Sequence, residues 1–420
     1  MEKIKIHFTP SDFELEIDGL NIEVAQSAIP DQDLSESEIL RRAIANADRD
    51  LEAFARNANK PLVIVNDRQR PTPTAKILPY IEPVIAKDPL FIVACGAHEA
   101  PKEAELKAIF GEAWEGVKSR LFIHRAKTDP TVKLFTSRDG FDFELNQIIE
   151  SSDSIVTINS VEPHYFAGFT GGRKSFLPGI SSYNTIQENH KFSLLPGSKT
   201  FALEGNPVHE NMMELSDYIA KNRDIYSIQV VLHPISGKIF SAYAGSINSA
   251  FYKAVEDGRK LYGAPISNKA DIVITVATSP QDARLYQSFK ALDNGSVALN
   301  ENGILILLAS CHEGIGNADF VANVSRFKSP NDVLQSKEFT LENYKLGYQR
   351  MLRLARWGAN GNLWIVSNMR DDEARMVFFR PFKKLDQAIE EALSIKGKDA
   401  RIVLIPNGIL TVPYTSAIAA

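Results

Sequence analysis

The sequence predicts an α/β protein with two α/β domains, mostly parallel sheets and a cleft between the domains. Short runs of apolar and β-branched residues alternate with segments of helical periodicity, as expected for strands that helices cover on both faces. The chain has 420 residues, which is enough for two domains of ordinary size. The turn Tyr262-Gly263-Ala264-Pro265 interrupts the alternation and is the best candidate for the boundary.

The first predicted domain covers residues 1–264. Residues 2–8 and 12–17 alternate polar and apolar side chains and are expected to form two antiparallel strands. Ser35 and Glu38 form a capping-box signature at the start of a helix. Buried strands are predicted at 62–65, 91–95, 155–158 and 228–232. One further helix is predicted to start at Pro101, and another to cover about 247–261.

The second predicted domain covers residues 265–398 and repeats the α/β pattern. Its strands are predicted at 271–277, 304–308 and 363–367, with an amphipathic helix at 285–292. A C-terminal segment, 399–420, contains a last strand-like run. The sequence leaves open whether this segment stays with the second domain or returns to the first.

Composition excludes several classes of protein. A net charge of -5 gives no electrostatic reason to bind nucleic acid or an anionic membrane. No window approaches the ~18 apolar residues needed to cross a bilayer, and the N-terminus lacks a signal-peptide core. Two cysteines cannot form a disulfide framework or a cysteine-only metal site. We therefore expect a cytoplasmic protein that binds neither nucleic acid nor membrane.

Residues 162–190 are the most informative stretch of the chain. His164, Lys174 and His190 lie among glycines and prolines rather than in a helical pattern, which indicates a loop built around a ligand. The segment looks like a phosphate-binding P-loop but departs from that motif twice. Arg173 replaces the second glycine, and Pro178 follows too soon for a helix to open after the lysine.

Three polar side chains follow three of the predicted buried strands. Asp67, His98 and His164 come after the runs that end at residues 65, 95 and 158. In open α/β sheets the ligand lies beyond the carboxyl ends of the strands. We therefore expect these side chains to converge on one site.

Several of these residue types suit chemistry on a small acid. The Arg70 guanidinium can hold a carboxylate in two parallel hydrogen bonds, although a surface ion pair is the alternative. Histidine as a residue type suits acid/base work near neutral pH, so His98 and His164 could move protons on either face of an alcohol carbon, or could be structural. Lys174 could bind phosphate, act as a base or form a covalent bond.

His190 is a candidate metal ligand, but no second histidine or carboxylate lies at ligand spacing in its segment. Protein ligands alone would therefore leave a metal site incomplete. Gln287 and Lys290 share one face of the predicted helix at 285–292, which suits a ligand contact or a merely solvated face.

These residues resemble, in type and spacing, the nickel-pincer-dependent lactate racemase family and its 2-hydroxyacid racemase and epimerase relatives. The likeness covers nearly the whole chain and is more specific than any single motif. It is carried by Asp67-x-x-Arg70, Gly96-x-His98, Pro163-His164, Ala167-Gly168-x-x-Gly171-Gly172-x-Lys174, Pro178-Gly179-Ile180, His190, Gly205-Asn206-Pro207, Gln287-x-x-Lys290 and Cys311-x-Glu313-Gly314-x-Gly316.

The resemblance implies a nickel cofactor, pyridinium-3-thioamide-5-thiocarboxylic acid mononucleotide, attached covalently to Lys174. Two cofactor sulfurs, a ring carbon and His190 would hold the nickel, which would account for the missing protein ligands. The other implied roles are acid/base catalysis by His98 and His164, substrate binding by Arg70, Gln287 and Lys290, and cofactor contacts by Asp67, Arg68, Gln69 and Arg70.

The implied enzyme is an isomerase that inverts C2 of a 2-hydroxyacid. One histidine takes the hydroxyl proton while hydride leaves C2, and the 2-oxoacid reorients in the active-site cleft before the hydride returns to its other face. Partners would be the small-molecule substrate and, transiently, the cofactor-biosynthesis proteins. The alternative is a nucleotide-binding α/β module that uses residues 168–174 without racemase chemistry.

The chain departs from the family pattern near the proposed carboxylate clamp. Glu99 stands where arginine is expected, and Arg68-Gln69 replaces smaller hydroxyl residues. Residues 123–125 also lack the expected Asn-His-Asp pattern. The departures make a larger or more polar 2-hydroxyacid, such as a sugar acid, a candidate substrate beside lactate.

Overall fold

The computed structural model describes residues 3–6, 13–16, 19–27, 29–30 and 32–415. Its strands are β1 Lys3–Ile6, β2 Phe13–Glu16, β3 Ile22–Val24, β4 Pro61–Asn66, β5 Leu90–Ala94, β6 Leu121–Ile123, β7 Thr131–Thr136, β8 Asp142–Asn146, β9 Ser154–Ser160, β10 Pro163–His164, β11 Gly168–Phe169, β12 Asp224–Leu232, β13 Ile239–Gly245, β14 Gly263–Pro265, β15 Ala270–Val276, β16 Leu299–Leu308, β17 Leu363–Val366, β18 Arg380–Phe382, β19 Ile402–Ile405 and β20 Val412–Tyr414.

The α-helices alternate with these strands along most of the chain, as the sequence predicts. They are α1 Glu36–Ala45, α2 Leu51–Asn57, α3 Thr74–Ile77, α4 Glu82–Ile85, α5 Glu103–Phe110, α6 Trp114–Val117, α7 Tyr183–Lys191, α8 Pro207–Asn222, α9 Ile247–Tyr262, α10 Leu285–Gly295, α11 Ala318–Val324, α12 Pro330–Gln335, α13 Tyr348–Gly358, α14 Asp371–Met376 and α15 Leu385–Lys396. None of the helices in the described ranges is long and apolar enough to cross a membrane.

One compact unit, Pro30–Leu261, is built on a six-stranded sheet of order β13-β12-β9-β4-β5-β6. All neighbouring strands are parallel except β13, which runs antiparallel to β12. The buried apolar runs predicted in this half are strands, so the predicted parallel α/β fold is confirmed. The strands β9, β4 and β5 are adjacent, which brings their carboxyl ends together.

Successive side chains of β9 point to opposite faces of this sheet and differ in polarity. Val156 and Ile158 point into the apolar core with α1 and α2. Thr157 and Asn159 alternate with them and point to the opposite face. Both are fully buried although they are polar, so each needs hydrogen-bond partners on this face.

The other unit comprises Met1–Ile29 and Tyr262–Ala420. Its six-stranded sheet has the order β18-β17-β16-β15-β19-β3, and every neighbouring pair is parallel. The structure groups residues 1–29 with this unit, rather than with the first domain as predicted, because β3 pairs with β19. The C-terminal segment belongs to the same unit because β19 pairs with β15, whereas residues 416–420 lie outside the described ones.

Local predictions near the N-terminus were largely confirmed. The strands β1 and β2 pair antiparallel, whereas residues 2, 7, 8, 12 and 17 of the predicted ranges lie outside the described ones. The capping box of Ser35 and Glu38 starts α1. The division between the units lies between Leu261 and Tyr262, directly before the predicted turn at residues 262–265. The last three residues of that turn form β14, which pairs with β20.

The helix predicted to start at Pro101 differs in both its start and its continuity. The helix α5 begins at Glu103, after an N-cap at Lys102. It ends before Gly111, whose φ of +54° is incompatible with a continuing right-handed helix. Further along the chain, Trp114–Val117 form the separate short helix α6.

Candidate active site

The lysine loop, residues 168–175, crosses the carboxyl ends of the central strands. It begins at β11, which pairs antiparallel with β10, and continues into a 3-10 helix, Gly172–Ser175. Gly168 has a φ of +75°, and a Cβ atom there would lie 2.1 Å from the Ala202 carbonyl oxygen. Only glycine allows this close approach of two backbone segments.

Buried polar side chains of β9 and β12 anchor the lysine loop. The Gly172 N–H donates to Gln229 Oε1 over 2.9 Å, and Ser175 Oγ donates to Asn159 Oδ1 over 2.8 Å. Gln229 Nε2 in turn donates to Asn159 Oδ1 over 3.1 Å. Because the anchored residues flank Lys174, its backbone position is fixed from both sides.

The Lys174 amine lies beside His164. Its Nζ is 3.5 Å from His164 Nε2, while the Ala167 N–H donates to His164 Nδ1 over 3.2 Å. Burial, and then the charges of Arg70 and Arg173, hold the pKa of Lys174 well below its usual value. The amine is thereby biased toward its neutral form, which is the nucleophilic one.

Arg173 is a buried cation that supports the same loop. Its guanidinium donates to the Ala167 carbonyl over 2.8 Å and to the Gly171 carbonyl over 3.2 Å. It also lies 4.3 Å from the centre of the Phe251 ring. Burial lowers the pKa of Arg173 to about 9, and its charge acts on the neighbouring Lys174.

Asp67 and His98 form a hydrogen-bonded pair at the ends of β4 and β5. Asp67 Oδ2 lies 2.7 Å from His98 Nδ1, and Asp67 Oδ1 accepts the Gln69 N–H over 3.1 Å. The carboxylate is 4% exposed, whereas the imidazole is 44% exposed. A proton on Nδ1 leaves Nε2 as the exposed base, the arrangement that orients catalytic histidines.

The three residues that follow Asp67 in the chain differ in their exposure and contacts. Arg68 forms an ion pair with Glu105 over 3.0 Å and is half exposed, and the Gln69 side chain is exposed. Arg70 is half-buried and donates to the Gln69 carbonyl over 3.0 Å. Its charge acts on Lys174, so Arg70 lies near the cluster while Arg68 is held at the surface.

His190 lies near the end of the helix α7, not in the loop that the sequence predicts, and is 9% exposed. Burial, followed by the charges of Lys174 and His98, lowers the pKa of His190 to about 3. The imidazole is therefore neutral at physiological pH, as a metal ligand must be. No group of three or more histidine, cysteine, aspartate or glutamate side chains in the described part of the chain could hold a metal.

The Phe166 ring is the common neighbour of this cluster and was missed in the sequence. Its centre lies 4.5 Å from the His164 ring and 5.0 Å from the His190 ring, edge to face in both cases. Lys174 Nζ is 5.7 Å from the same ring centre. Nothing in the sequence distinguishes this aromatic residue from others in loops.

Gln287 and Lys290 lie on α10 in the other unit. Both side chains are exposed, whereas Leu285, Phe289 and Leu292 on the same helix are buried. The two faces predicted for this helix are therefore confirmed.

The cluster in Pro30–Leu261 combines one guanidinium and two histidines, of which one is half-buried and the other exposed. It also contains a buried amine whose pKa is lowered and a buried imidazole that is neutral. These are Arg70, His98, His164, Lys174 and His190. Together they can bind a carboxylate, exchange protons, form a bond to an electrophile and donate one nitrogen to a metal. The sequence predicts these members, but not the support given by Phe166, Asn159 and Gln229.

Comparisons with known proteins agree over most of the chain. Residues 8–200 match the family model of the lactate racemase N-terminal domain, and residues 266–412 match that of the lactate racemase C-terminal domain. The lactate racemase of Thermoanaerobacterium thermosaccharolyticum is 32% identical over 90% of this chain and 90% of its own. That of Lactiplantibacillus plantarum is 28% identical over 92% of this chain and 93% of its own.

Two solved structures have the same fold. The lactate racemase apoprotein from T. thermosaccharolyticum superposes with a TM-score of 0.85 and 28% identity, over 98% of this chain and 100% of that chain. A protein from Thermotoga maritima superposes with a TM-score of 0.64 and 15% identity, over 92% of this chain and 100% of that chain, and shows the fold alone.

Proposed function

The chain belongs to the lactate racemase family, and we propose that it inverts C2 of a 2-hydroxyacid through a bound 2-oxoacid. The observation that carries the proposal is the clustering of His98, His164, Lys174 and His190 at the carboxyl ends of adjacent strands. Lactate is the first candidate substrate, because the relatives matched here carry that name.

The substrate carboxylate is assigned to Arg70. A planar guanidinium fixes both the position and the direction of a carboxylate, and Arg70 is the half-buried arginine of its turn. We extend substrate binding to Gln287 and Lys290, whose polar face on α10 is exposed. Arg70→Ala should weaken substrate binding more than it changes folding.

His98 and His164 are assigned to proton transfer at the substrate hydroxyl. One imidazole takes the hydroxyl proton as C2 is oxidised, and the other returns a proton once C2 has been reduced on its opposite face. Oxidation avoids the costly carbanion that direct removal of the C2 hydrogen would create. Asp67 supports His98 in this role, since its carboxylate accepts a hydrogen bond from Nδ1 and leaves Nε2 to exchange the proton.

The residues present fit the nickel-pincer nucleotide that the family implies. Lys174 has the amine for covalent attachment, with its pKa lowered by burial and by neighbouring arginines. His190 offers one neutral nitrogen, and the described residues hold no set of three ligands that would bind a metal without further donors. When bound, the cofactor would supply the hydride acceptor and donor for C2.

Beyond lactate, the site would accept a larger or more polar 2-hydroxyacid. This proposal is supported by the exposed Glu99 beside His98, and by the exposed Gln69 in the turn that carries Arg70. These side chains add charge and hydrogen-bonding capacity near the proposed clamp. A sugar acid has the additional hydroxyl groups that such side chains would bind.

The test is to co-express the chain with the cofactor-biosynthesis proteins and to measure intact mass and nickel content. We expect an adduct on Lys174 and bound nickel, both absent in Lys174→Ala. Lactate and sugar acids are then assayed for exchange of the C2 configuration. His98→Ala and His164→Ala should retain the adduct and lose turnover. A nucleotide that binds without an adduct or turnover would favour the nucleotide-binding module instead.

A further inference from the structure

A chain of hydrogen bonds that starts at a backbone carbonyl fixes the orientation of the Asn189 side chain. Asn189 Nδ2 lies 3.1 Å from the Val208 carbonyl oxygen and 2.9 Å from Asn211 Oδ1. A carbonyl oxygen only accepts hydrogen bonds, so the Asn189 atom that faces it must be the NH₂ group. The Asn189 amide oxygen therefore points the other way.

That oxygen determines which nitrogen of His190 carries the proton. Asn189 Oδ1 lies 3.1 Å from His190 Nδ1, and an amide oxygen can only accept. His190 Nδ1 must then donate, which leaves the lone pair of the neutral ring on Nε2. Metal-ligating histidines are oriented in this way, by a hydrogen bond at the nitrogen that does not bind the metal.

A second anchor reaches the same assignment independently. Asn211 Nδ2 lies 3.0 Å from the Asp139 carboxylate, which accepts hydrogen bonds when ionised. The Asn211 amide oxygen is thereby turned toward the Asn189 NH₂ group. Both asparagines are fully buried, so the hydrogen bonds from Asn189 to Val208 and to Asn211 are shielded from water.

We propose that Asn189, oriented by Asn211 and Asp139, is a positioning residue that keeps His190 protonated on Nδ1 and presents Nε2 as a metal ligand. The metal half of this inference rests on the proposed function, whereas the tautomer half does not. Outer partners of metal-ligating histidines typically contribute about 10–100-fold to metal affinity.

His124 provides an internal reference of the opposite tautomer. Its Nε2 donates to the Ser181 carbonyl over 2.9 Å, and its Nδ1 accepts from Asn146 Nδ2 over 3.1 Å. Asn146 Nδ2 also donates to the Asp129 carboxylate, which fixes that amide. The same protein therefore has two buried histidines with the proton on different nitrogens, and in each of them an asparagine side chain contacts Nδ1.

The tautomers are read by two-bond ¹⁵N–¹H NMR of histidine-labelled full-length protein without cofactor. Signals are assigned with His190→Gln and His124→Gln. We expect an Nδ1–H ring for His190 and an Nε2–H ring for His124. Asn189→Leu should move His190 toward Nε2–H and leave His124 unchanged, and Asn146→Leu should affect His124 alone.

Two further variants separate positioning from folding. Asn189→Asp keeps an acceptor for the Nδ1 proton and should preserve the His190 tautomer even if stability falls. Asn211→Leu removes one anchor and should shift the tautomer partway, which gives a second route if Asn189→Leu does not fold. An unchanged Nδ1–H signal in folded Asn189→Leu would overturn the positioning role.

The metal half is tested on protein that carries the Lys174 adduct. Wild type and Asn189→Leu should form the adduct equally, but the variant should lose nickel to a competing chelator at about 10–100-fold lower chelator strength. Equal retention in both would overturn the metal half alone. A wild-type protein without adduct or nickel would instead refute the proposed function, and the metal half with it.

Discussion

Asp67 Oδ2 lies 2.7 Å from His98 Nδ1, and the aspartate is the buried member of the pair. The sequence predicts Asp67 as a cofactor contact. The structure places its carboxylate against the imidazole, where it can act through His98. A cofactor contact and a partner of His98 would respond differently to the substitution Asp67→Asn.

Asp67→Asn should lower turnover by about 100-fold or more, in the range of one acid/base group. An amide does not enforce the Nδ1–H tautomer and the ring orientation of His98 as a carboxylate does. Because the effect passes through His98, the Lys174 adduct should form as in wild type. Turnover is measured per adduct-bearing molecule.

Arg68→Gln is the matched control from the same turn. Arg68 forms a half-exposed ion pair with Glu105, and such pairs contribute about 0–1 kcal/mol. Near-normal turnover and adduct yield are expected. If Asp67→Asn lost the adduct but kept normal turnover per remaining adduct, Asp67 would be a cofactor ligand as the sequence predicts.

Lys174 should react with amine reagents at lower pH than ordinary lysines. Burial, Arg70 and Arg173 all disfavour the ammonium form, so the pKa is lowered and the neutral amine persists to lower pH. Competitive isotopic acetylation of the cofactor-free protein across pH would give its titration midpoint. Arg70→Met removes one nearby charge and should move that midpoint upward.

Lys107 is the control, since its pKa shifts in the opposite direction. It lies on the surface of α5, where the hydrogen bond and charge of Glu103 raise its pKa. The two lysines should therefore have clearly separated midpoints in one experiment. A Lys174 midpoint at or above that of Lys107 would contradict the electrostatic description of the loop.

The strands and their ends could be predicted because the signal is local. Apolar runs such as those of β4, β5 and β9 need covering helices on both faces, and parallel strands place their carboxyl ends on one edge. His98 and His164 were found on that basis. The same rule places Asp67 near these two histidines, but it does not predict that the Asp67 carboxylate contacts His98.

The remaining features depend on contacts that the sequence does not encode locally. The pairing of β3 with β19 joins the two ends of the chain. Phe166 becomes important only because His164 and His190 meet at its ring. Gly111 stands within a helical pattern, and its positive φ arises from the packing of the segment.

Gly171→Ala should destabilise the protein more than Gly205→Ala. Both glycines have positive φ, but a Cβ at Gly171 would lie 2.6 Å from Val161 Cγ2, whereas Gly205 faces open space. Backbone strain alone costs about 1–2 kcal/mol, and overpacking adds about 1–3 kcal/mol. Urea unfolding of both variants measures the difference.

The same pair of variants tests the anchoring of the lysine loop. A Cβ at Gly171 would also lie 2.7 Å from Gln229 Oε1, which holds the Gly172 N–H. Gly171→Ala should therefore change the acetylation midpoint of Lys174, and Gly205→Ala should not. Equal destabilisation with an unchanged midpoint would show that the loop adapts and that Gln229 is not a rigid anchor.

His209 should make the fold acid-sensitive. It is buried, its Nδ1 has no hydrogen-bond partner among the described residues, and its Nε2 lies 3.3 Å from the Tyr252 hydroxyl. Burial and the charge of Arg173 lower the pKa of His209 from its usual value to about 2. Below about pH 6.5 the side chain of His209 therefore binds a proton in the unfolded chain but stays neutral in the folded protein.

The free energy of unfolding should consequently fall as the pH drops below about 6.5, by up to about 1.4 kcal/mol per pH unit from this group. His209→Gln keeps a polar partner for Tyr252 but cannot titrate, so it should lose this part of the slope. Urea unfolding of both proteins between about pH 7 and about pH 5 measures the difference. If the gap in unfolding free energy between them stayed constant over that range, His209 would be taking up its proton in the folded state, and the buried cation Arg173 would not be acting on it.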